Sequence, residues 1–290
     1  MRQKPNAMQN TNNINEMKAS ILHTTARKRP NRIIPGLVFA LSFACNSATA
    51  VSIELGTATS FAVLAGSGIT NTGPTTITGD IGTHPTPAIT GFGSVTLIDG
   101  VNHADDAVTA QAKIDLVTGY NDAAGRPATI NYAGGFDLVG LTLFPGVYNS
   151  PSSLFLTNTL TLDAQGDPDA VWIFQAGSTL ITASDSSVNL INGGQACHVF
   201  WQVGSSATLG TDTDFMGNIL ALTSITLNTR ATVEGRVLAL NGAVTMDTNT
   251  ITRSDCSSTA AVPETGSTLF LLGIGLMSMS GARRRLACSA

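Results

Sequence analysis

Charge is scarce in this chain of 290 residues: Asp, Glu, Lys and Arg together make up 12%, about half the share of an ordinary soluble domain. Disorder driven by charge repulsion is thereby excluded, and with 43% hydrophobic residues there is enough apolar material for a core. Lysine occurs only as Lys4, Lys18, Lys28 and Lys113. Between Val51 and Val262 there are five basic residues (Lys113, Arg126, Arg230, Arg236, Arg253) against seventeen acidic ones, a net charge of −12. Such a body offers no basic surface to nucleic acid, so no nucleic-acid partner is expected. Aromatic residues are 6%, and Trp172 and Trp201 alternate with apolar neighbours, which places them in a core rather than on a sugar platform. Neither an HExxH pair nor a GxSxG turn occurs. The four histidines, His23, His84, His103 and His198, have no metal-ligand spacing. No metal, no cofactor and no catalytic residue is expected. Asp163, Asp167 and Asp169 lie in a Gly/Pro-containing turn and read as solvated loop rather than as a Ca²⁺ site.

Threonine and glycine are what the chain has instead, with 38 and 29 residues. Thr favours strands, and the threonines recur with a period. Ala207-Thr208-Leu209-Gly210-Thr211 returns as Ile225-Thr226-Leu227-Asn228-Thr229 and as Val244-Thr245-Met246-Asp247-Thr248. Phe215, Val233 and Ile251 follow in phase, as do Gly217 with Gly235 and Leu220 with Leu238. Phe174-Gln175-Ala176-Gly177-Ser178 is an earlier copy of Trp201-Gln202-Val203-Gly204-Ser205, continued by Thr179-Leu180-Ile181-Thr182. A period near 20 residues is the signature of a solenoid. Each coil would hold three short strands joined by tight turns, with Leu209, Leu227 and Met246 inward and the neighbouring threonines outward.

One segment breaks the β pattern. From about Asn102 to Asp122 the residues suit a helix, with Ala107, Ala110, Ile114 and Val117 as its apolar stripe against the solenoid. Asp105 and Asp106 stand in its first turn, and Gly125 and Pro127 lie past its end.

Both ends of the chain read as addresses. Residues 1–50, with a true start at Met1 or Met17, resemble a secretory signal: a basic region, an apolar run from Ile33 to Ala44, and Ala48-Thr49-Ala50 before Val51. Residues 256–290 form a linker and tail. Pro263-Glu264 precedes an apolar run over 269–279, too short for a comfortable span of about 20 residues, and Arg283, Arg284 and Arg285 follow. This order is similar to the PEP-CTERM sorting signal of Gram-negative, exopolysaccharide-producing bacteria, although Thr265 stands where that signal has proline. The resemblance implies a sortase-like membrane protease as partner. It also implies secretion across the inner membrane, transient anchoring by the tail, and a final place outside the cell or on its outer surface. With Cys45 in the signal and Cys288 in the tail, Cys197 and Cys256 remain. In an oxidising compartment they are either paired or two buried free thiols; pairing would be worth about 4 kcal/mol in the chain-entropy picture.

A further resemblance covers 51–255. Leu55-Gly56-Thr57-Ala58, Phe61-Ala62-Val63-Leu64-Ala65, Ser67-Gly68-Ile69-Thr70 and Thr78-Gly79-Asp80-Ile81-Gly82 are similar, in order, to the opening of the DUF3494 ice-binding family. Tyr120-Asn121-Asp122-Ala123-Ala124-Gly125-Arg126, Pro145-Gly146-Val147-Tyr148, Val171-Trp172-Ile173-Phe174-Gln175 and Phe200-Trp201-Gln202-Val203 continue it. The resemblance implies an all-β, discontinuous, right-handed β-solenoid of roughly triangular section with one long α-helix packed alongside. It implies a monomer that adsorbs to ice without a cofactor.

Threonines at strand spacing suit that activity, because each offers a methyl and a hydroxyl on a stiff χ1. The expected array has Thr179, Thr208, Thr226 and Thr245 in one row and Thr182, Thr211, Thr229 and Thr248 in another, extended by Thr213 and Thr250. Thr72 and Thr75, in Thr72-Gly73-Pro74-Thr75, are secondary candidates. Arg230, Asp212 and Asp214 lie close by and would oppose adsorption if they share the face. The alternative is a structural or adhesive protein of the cell surface or exopolysaccharide matrix that binds glycan; a flat uncharged Thr lattice favours ice, and an acidic, aromatic-lined groove favours glycan.

Overall fold

The computed structural model describes residues 51–256; the signal-like segment and the tail, with Pro263, Glu264, Arg283, Arg284 and Arg285, lie outside the described residues. Every strand pairing is parallel, and the strands stack into three faces. The first face runs through Asn102–Ala104, Asp80–Thr83, Phe61–Ala65, the ends of Thr232–Ala239 and Asp214–Ala221, then Val199–Val203, Trp172–Ala176, Gly146–Ser150 and Ile130–Asn131. The second runs through Ile89–Thr90, Gly68–Thr72, Ala243–Asp247, Ile225–Leu227, Ala207–Leu209, Leu180–Thr182, Leu154–Leu156 and Phe136–Asp137. The third runs through Val95–Ile98, Thr75–Thr78, Thr250–Thr252, the beginnings of Thr232–Ala239 and Asp214–Ala221, then Ser187–Ile191, Thr159–Asp163 and Thr142–Leu143.

Spatial order differs from chain order. The coils built from residues 53–98 sit on the last coil of the chain, Val63 and Leu64 pairing with Val237 and Leu238, and Gly68–Thr72 with Ala243–Asp247. The chain then leaves through helix α1 (Ala107–Gly125) and begins the opposite end of the stack at Ile130. The solenoid is therefore discontinuous, as the family resemblance implies.

The inward residues alternate along each strand and fill the tube. Leu209, Leu227, Met246, Val244, Ile225 and Ile69 are all buried. Tyr148, Phe174 and Trp201 stack coil upon coil, with the Phe174 and Trp201 rings 4.0 Å apart. Trp172 and Trp201 are fully enclosed, as expected of core residues. Thr232–Ala239 and Asp214–Ala221 each turn a corner of the triangle without a break in pairing, and the bend falls at Gly217 and Gly235 (φ 116° and 143°). A Cβ on Gly235 would collide with the Gly217 backbone carbonyl, so the two glycines are required by close approach as well as by conformation.

Helix α1 covers the first face, but its inner stripe differs from the expected one. Ala112, Leu116, Tyr120 and Ala123 are buried against Phe61, Leu64, Val147, Ile173, Phe200, Leu220 and Leu238. Ile114 is 61% and Val117 44% exposed, Ala107 is exposed and Ala110 half-buried. Both stripes have helical spacing, so periodicity alone could not choose between them. The inner one carries the larger Leu116 and Tyr120, and Gly119 between them lets the chain at Glu54 and Leu55 approach the helix backbone. Gln202 Nε2 donates to the Tyr120 hydroxyl (2.7 Å), which donates in turn to Val203 O. Lys113 Nζ donates to Ala239 O (2.7 Å) and Leu240 O, and burial pushes its ammonium down to about 8.

The helix also starts later than the expected 102. Asn102–Ala104 is a strand paired with Asp80–Thr83, and Asp105 (φ 54°) turns the chain away. Asp106 is the N-cap, its carboxylate accepting from Thr109 N at 2.8 Å. That bond first, and then His103 Nδ1 at 2.6 Å, hold the Asp106 carboxyl down at about 2.

Candidate functional site

The second face carries a row of outward side chains in strict register. Thr90 lies beside Thr70, Thr70 beside Thr245, Thr245 beside Thr226 and Thr226 beside Thr208. Ile181, Phe155 and Asp137 continue the row to the far end. At about 4.8 Å between strands the five threonines span about 19 Å. Thr90, Thr70 and Thr245 are exposed, Thr226 and Thr208 half-buried. Thr208, Thr226 and Thr245 are each flanked within the strand by buried apolar residues, and Thr70 by buried Ile69 and Asn71, so their methyls and hydroxyls are held at fixed places; Thr90 ends a two-residue strand beside half-buried Ile89. From Thr90 to Phe155 the row holds no charge.

Of the expected first row, Thr208, Thr226 and Thr245 are aligned. Thr179 is not: the coil step between the copies is longer here, Ile181 pairs with Thr208, and Thr179 lies towards the corner with its hydroxyl 2.7 Å from Ser153 Oγ. The expected second row does not exist as a row. Thr182 faces inward, 3% exposed, and its hydroxyl accepts from Gly210 N (2.9 Å). Thr213 is completely buried and shares hydrogen bonds with Thr182, Ser186 and Ala183 O. Thr75 is buried too, accepting from Asn249 N. These three hydroxyls satisfy backbone and side-chain groups in the corners and face no solvent.

Thr211 and Thr229 lie half-buried in the turn between the second and third faces, Thr229 donating to Asp247 Oδ2 (2.5 Å). Thr248 falls out of step with them. Its coil has one extra residue at the Asn241-Gly242 corner, where Ile225 aligns with Val244, and one fewer before Thr250, which aligns with Thr232. Thr248 consequently takes the left-handed position that Asp185, Asp212 and Arg230 hold in the other coils. Thr250 is exposed, but on the third face, in register with Thr232 and Thr76. Thr72 is exposed on the second face beside Asp247.

Among the charges, Asp247 stands half-buried at the edge of the second face beside Thr72, accepting from Thr229. Asp214 and Glu234 point outward from the third face. Asp212 and Arg230 occupy the corner and engage each other as a fork, Nε to Oδ1 at 2.7 Å and Nη2 to Oδ2 at 2.5 Å. That hydrogen bonding holds the Asp212 carboxyl below its usual range. Asp163 accepts from Gln165 N and Asp167 from Asp169 N, which are the bonds of tight turns, and Asp163 also accepts from Asn192 Nδ2 of the next coil. The structure pairs Cys197 with Cys256 in a disulfide, resolving the alternative left by the sequence.

Sequence reasoning missed Thr70 and Thr90. The strand of Thr70 reads Gly68-Ile69-Thr70-Asn71-Thr72 and that of Thr90 Ile89-Thr90, each with the Ile-Thr step of the repeat, but both lie far away in the chain and join the row only across the discontinuity.

Among the described residues no helix is long and apolar enough to cross a membrane. The chain is 49% identical over 261 residues to an ice-binding protein of Nostoc sp. (strain HG1), covering 89% of this chain and 96% of that protein. It is 37% identical to an ice-binding protein of Colwellia sp. over 76% of this chain and 92% of the relative. Among solved structures, an ice binding protein from an Antarctic biological consortium superposes with a TM-score of 0.68 at 48% identity, over 71% of this chain and 93% of that one. The ice-binding protein of the Antarctic ascomycete Antarctomyces psychrotrophicus gives 0.68 at 43% identity, over 71% of this chain and the whole of its own. The Ice-binding-like family model matches residues 63–252, about two thirds of the chain, and the protein belongs to that family.

Proposed function

We propose that this protein adsorbs to ice through the second face and so restrains ice growth and recrystallisation. The observation that carries this reading is the uncharged, in-register row Thr90–Thr70–Thr245–Thr226–Thr208. Methyl groups at a fixed repeat favour an ordered water layer, and hydroxyls at the same repeat anchor it. Little side-chain entropy is lost on adsorption because the buried neighbours already hold the strands. Molecules pinned on the surface leave curved ice between them, which grows less readily. The third face is a poorer ice surface, since Asp214 and Glu234 keep their own hydration there. In this reading the protein is a binding protein rather than an enzyme, acts without a cofactor, and works as a monomer.

The segments outside the described residues support a location for this activity. A signal over 1–50 would send the chain across the inner membrane. The tail, with Pro263, Glu264 and Arg283 to Arg285, would hold it at the envelope until a sortase-like protease acts, leaving it outside the cell or on its surface. Exopolysaccharide is a secondary partner in this setting; the enclosure of Trp172, Trp201 and Phe174 speaks against an aromatic glycan platform on the solenoid.

Partition into ice tests the reading. Labelled protein should be incorporated into a slowly grown ice hemisphere while a non-binding control protein is left in the liquid. Exclusion of the folded protein from the ice would overturn it and make matrix adhesion the better account.

A further inference from the structure

Near the point where both ends of the described chain meet, a cavity of about 330 Å³ is lined in part by Cys197, His198, Arg236, Asp255 and Cys256. The adsorption reading uses none of these groups. The two sulfurs and a ring nitrogen of His198 all lie within 4.8 Å of one another. His198 is 8% exposed, and its Nδ1 lies 3.2 Å from Pro168 O. A carbonyl only accepts, so Nδ1 is the donor, and in the neutral ring Nε2 is then the nitrogen with the lone pair. This is how metal-ligating histidines are commonly oriented.

Arg236 is buried in the same cavity and is fully engaged in holding its walls. It donates to Thr59 O, Asn218 Oδ1 and Ser254 O at 2.9–3.0 Å. Its positive charge favours thiolates nearby.

We propose that when the Cys197–Cys256 bond is reduced, the two thiolates and the His198 imidazole take up one Zn²⁺, with water in the fourth position; the nearby Asp255 carboxylate is held by Arg253 and Arg236 instead. Two sulfurs and one nitrogen with a fourth, exchangeable ligand is an ordinary zinc donor set. The chemistry balances with a phosphine as reductant. The phosphine takes an oxygen atom from water and becomes phosphine oxide, the S–S bond breaks, and two thiols form. Zn²⁺ then replaces the two thiol protons, which go to solvent. The disulfide and the metal are alternative closures of one joint: each ties the last described residue, Cys256, to the coil that begins at Cys197. A chain that has not yet been oxidised would keep its C-terminal coil fastened by the metal.

The test uses the full chain, reduced with a water-soluble phosphine under argon, titrated with Co²⁺ and then Zn²⁺. The expected result is one ion per chain, a thiolate-to-cobalt charge-transfer band with tetrahedral d–d bands, and displacement of cobalt by zinc. The oxidised chain should show none of these. His198→Ala should weaken zinc binding at least tenfold, and Cys256→Ser should abolish the charge-transfer band of the paired thiolates. Because the variants could fold poorly, thermal unfolding of the reduced parent is a second reading: equimolar Zn²⁺ should raise its midpoint. Absence of stoichiometric uptake by the reduced parent, equal uptake by the oxidised chain, unchanged affinity in folded His198→Ala, or an unmoved midpoint would each overturn the proposal.

Discussion

Thr245 and Thr70 stand side by side on adjacent parallel strands, although most of the described chain separates them in sequence. The contact joins the first-made coils to the last-made coil, and it converts a three-threonine row into a five-threonine row. Thr70→Tyr should therefore lower thermal hysteresis as much as Thr226→Tyr does, with unchanged circular dichroism. An undiminished activity in Thr70→Tyr would confine the binding surface to the C-terminal coils.

The buried corner threonines separate fold from function. Thr213→Val leaves the shape of the side chain but removes a hydroxyl shared with Thr182, Ser186 and Ala183 O. It should cost about 1–3 kcal/mol in denaturant unfolding and leave ice activity per folded molecule unchanged. A selective loss of ice activity without loss of stability would contradict the placement of Thr213 inside the corner.

Gly235 closes the bend between two faces at φ 143° against the Gly217 carbonyl. Gly235→Ala adds both strain and overlap, each costing about 1–3 kcal/mol. The variant should unfold at a much lower temperature or accumulate unfolded, whereas Gly166→Ala, in an open turn, should cost less. Equal stabilities of the two variants would show that the close approach at the bend is not required.

Lys113 gives the fold a pH dependence on the alkaline side. Burial lowers its ammonium from 10.5 in the unfolded chain to about 8 in the folded one. Between those values the unfolded state binds more protons, so stability rises with pH across roughly 8 to 10.5, by an amount on the order of 3 kcal/mol. Below about 8 both states are protonated and this group adds no slope. Unfolding midpoints at pH 8, 9 and 10 should rise in the parent and lose that increment in Lys113→Met; a parallel pH trend in both proteins would remove Lys113 as its source.

What could be read from the sequence was whatever repeats locally. Thr208, Thr226 and Thr245 recur beside Leu209, Leu227 and Met246 in a phase that the structure keeps, because each coil buries its alternate residues against the next. The reading failed where a coil changes length. A longer step put Ile181 rather than Thr179 on the row, and the compensating extra and missing residues around Ala243–Asp247 moved Thr248 into the turn. With Ile181 on the row, strand alternation turns Thr182 inward. Thr213 was misplaced for another reason: alternation is a rule for strands, and a corner can turn a threonine inward if its hydroxyl finds partners there. On helix α1 two stripes of similar spacing compete, and the choice rests on how Leu116, Gly119 and Tyr120 fit the first face, which no local pattern contains.

The most direct measurement is thermal hysteresis of two double variants at matched concentration. One carries Thr226→Tyr and Thr245→Tyr on the second face; the other carries Thr250→Tyr and Thr252→Tyr on the third. The account predicts that the first pair loses most of the parent's activity while the second retains it, both remaining folded. Loss of activity in the third-face pair with retention in the second-face pair would contradict it.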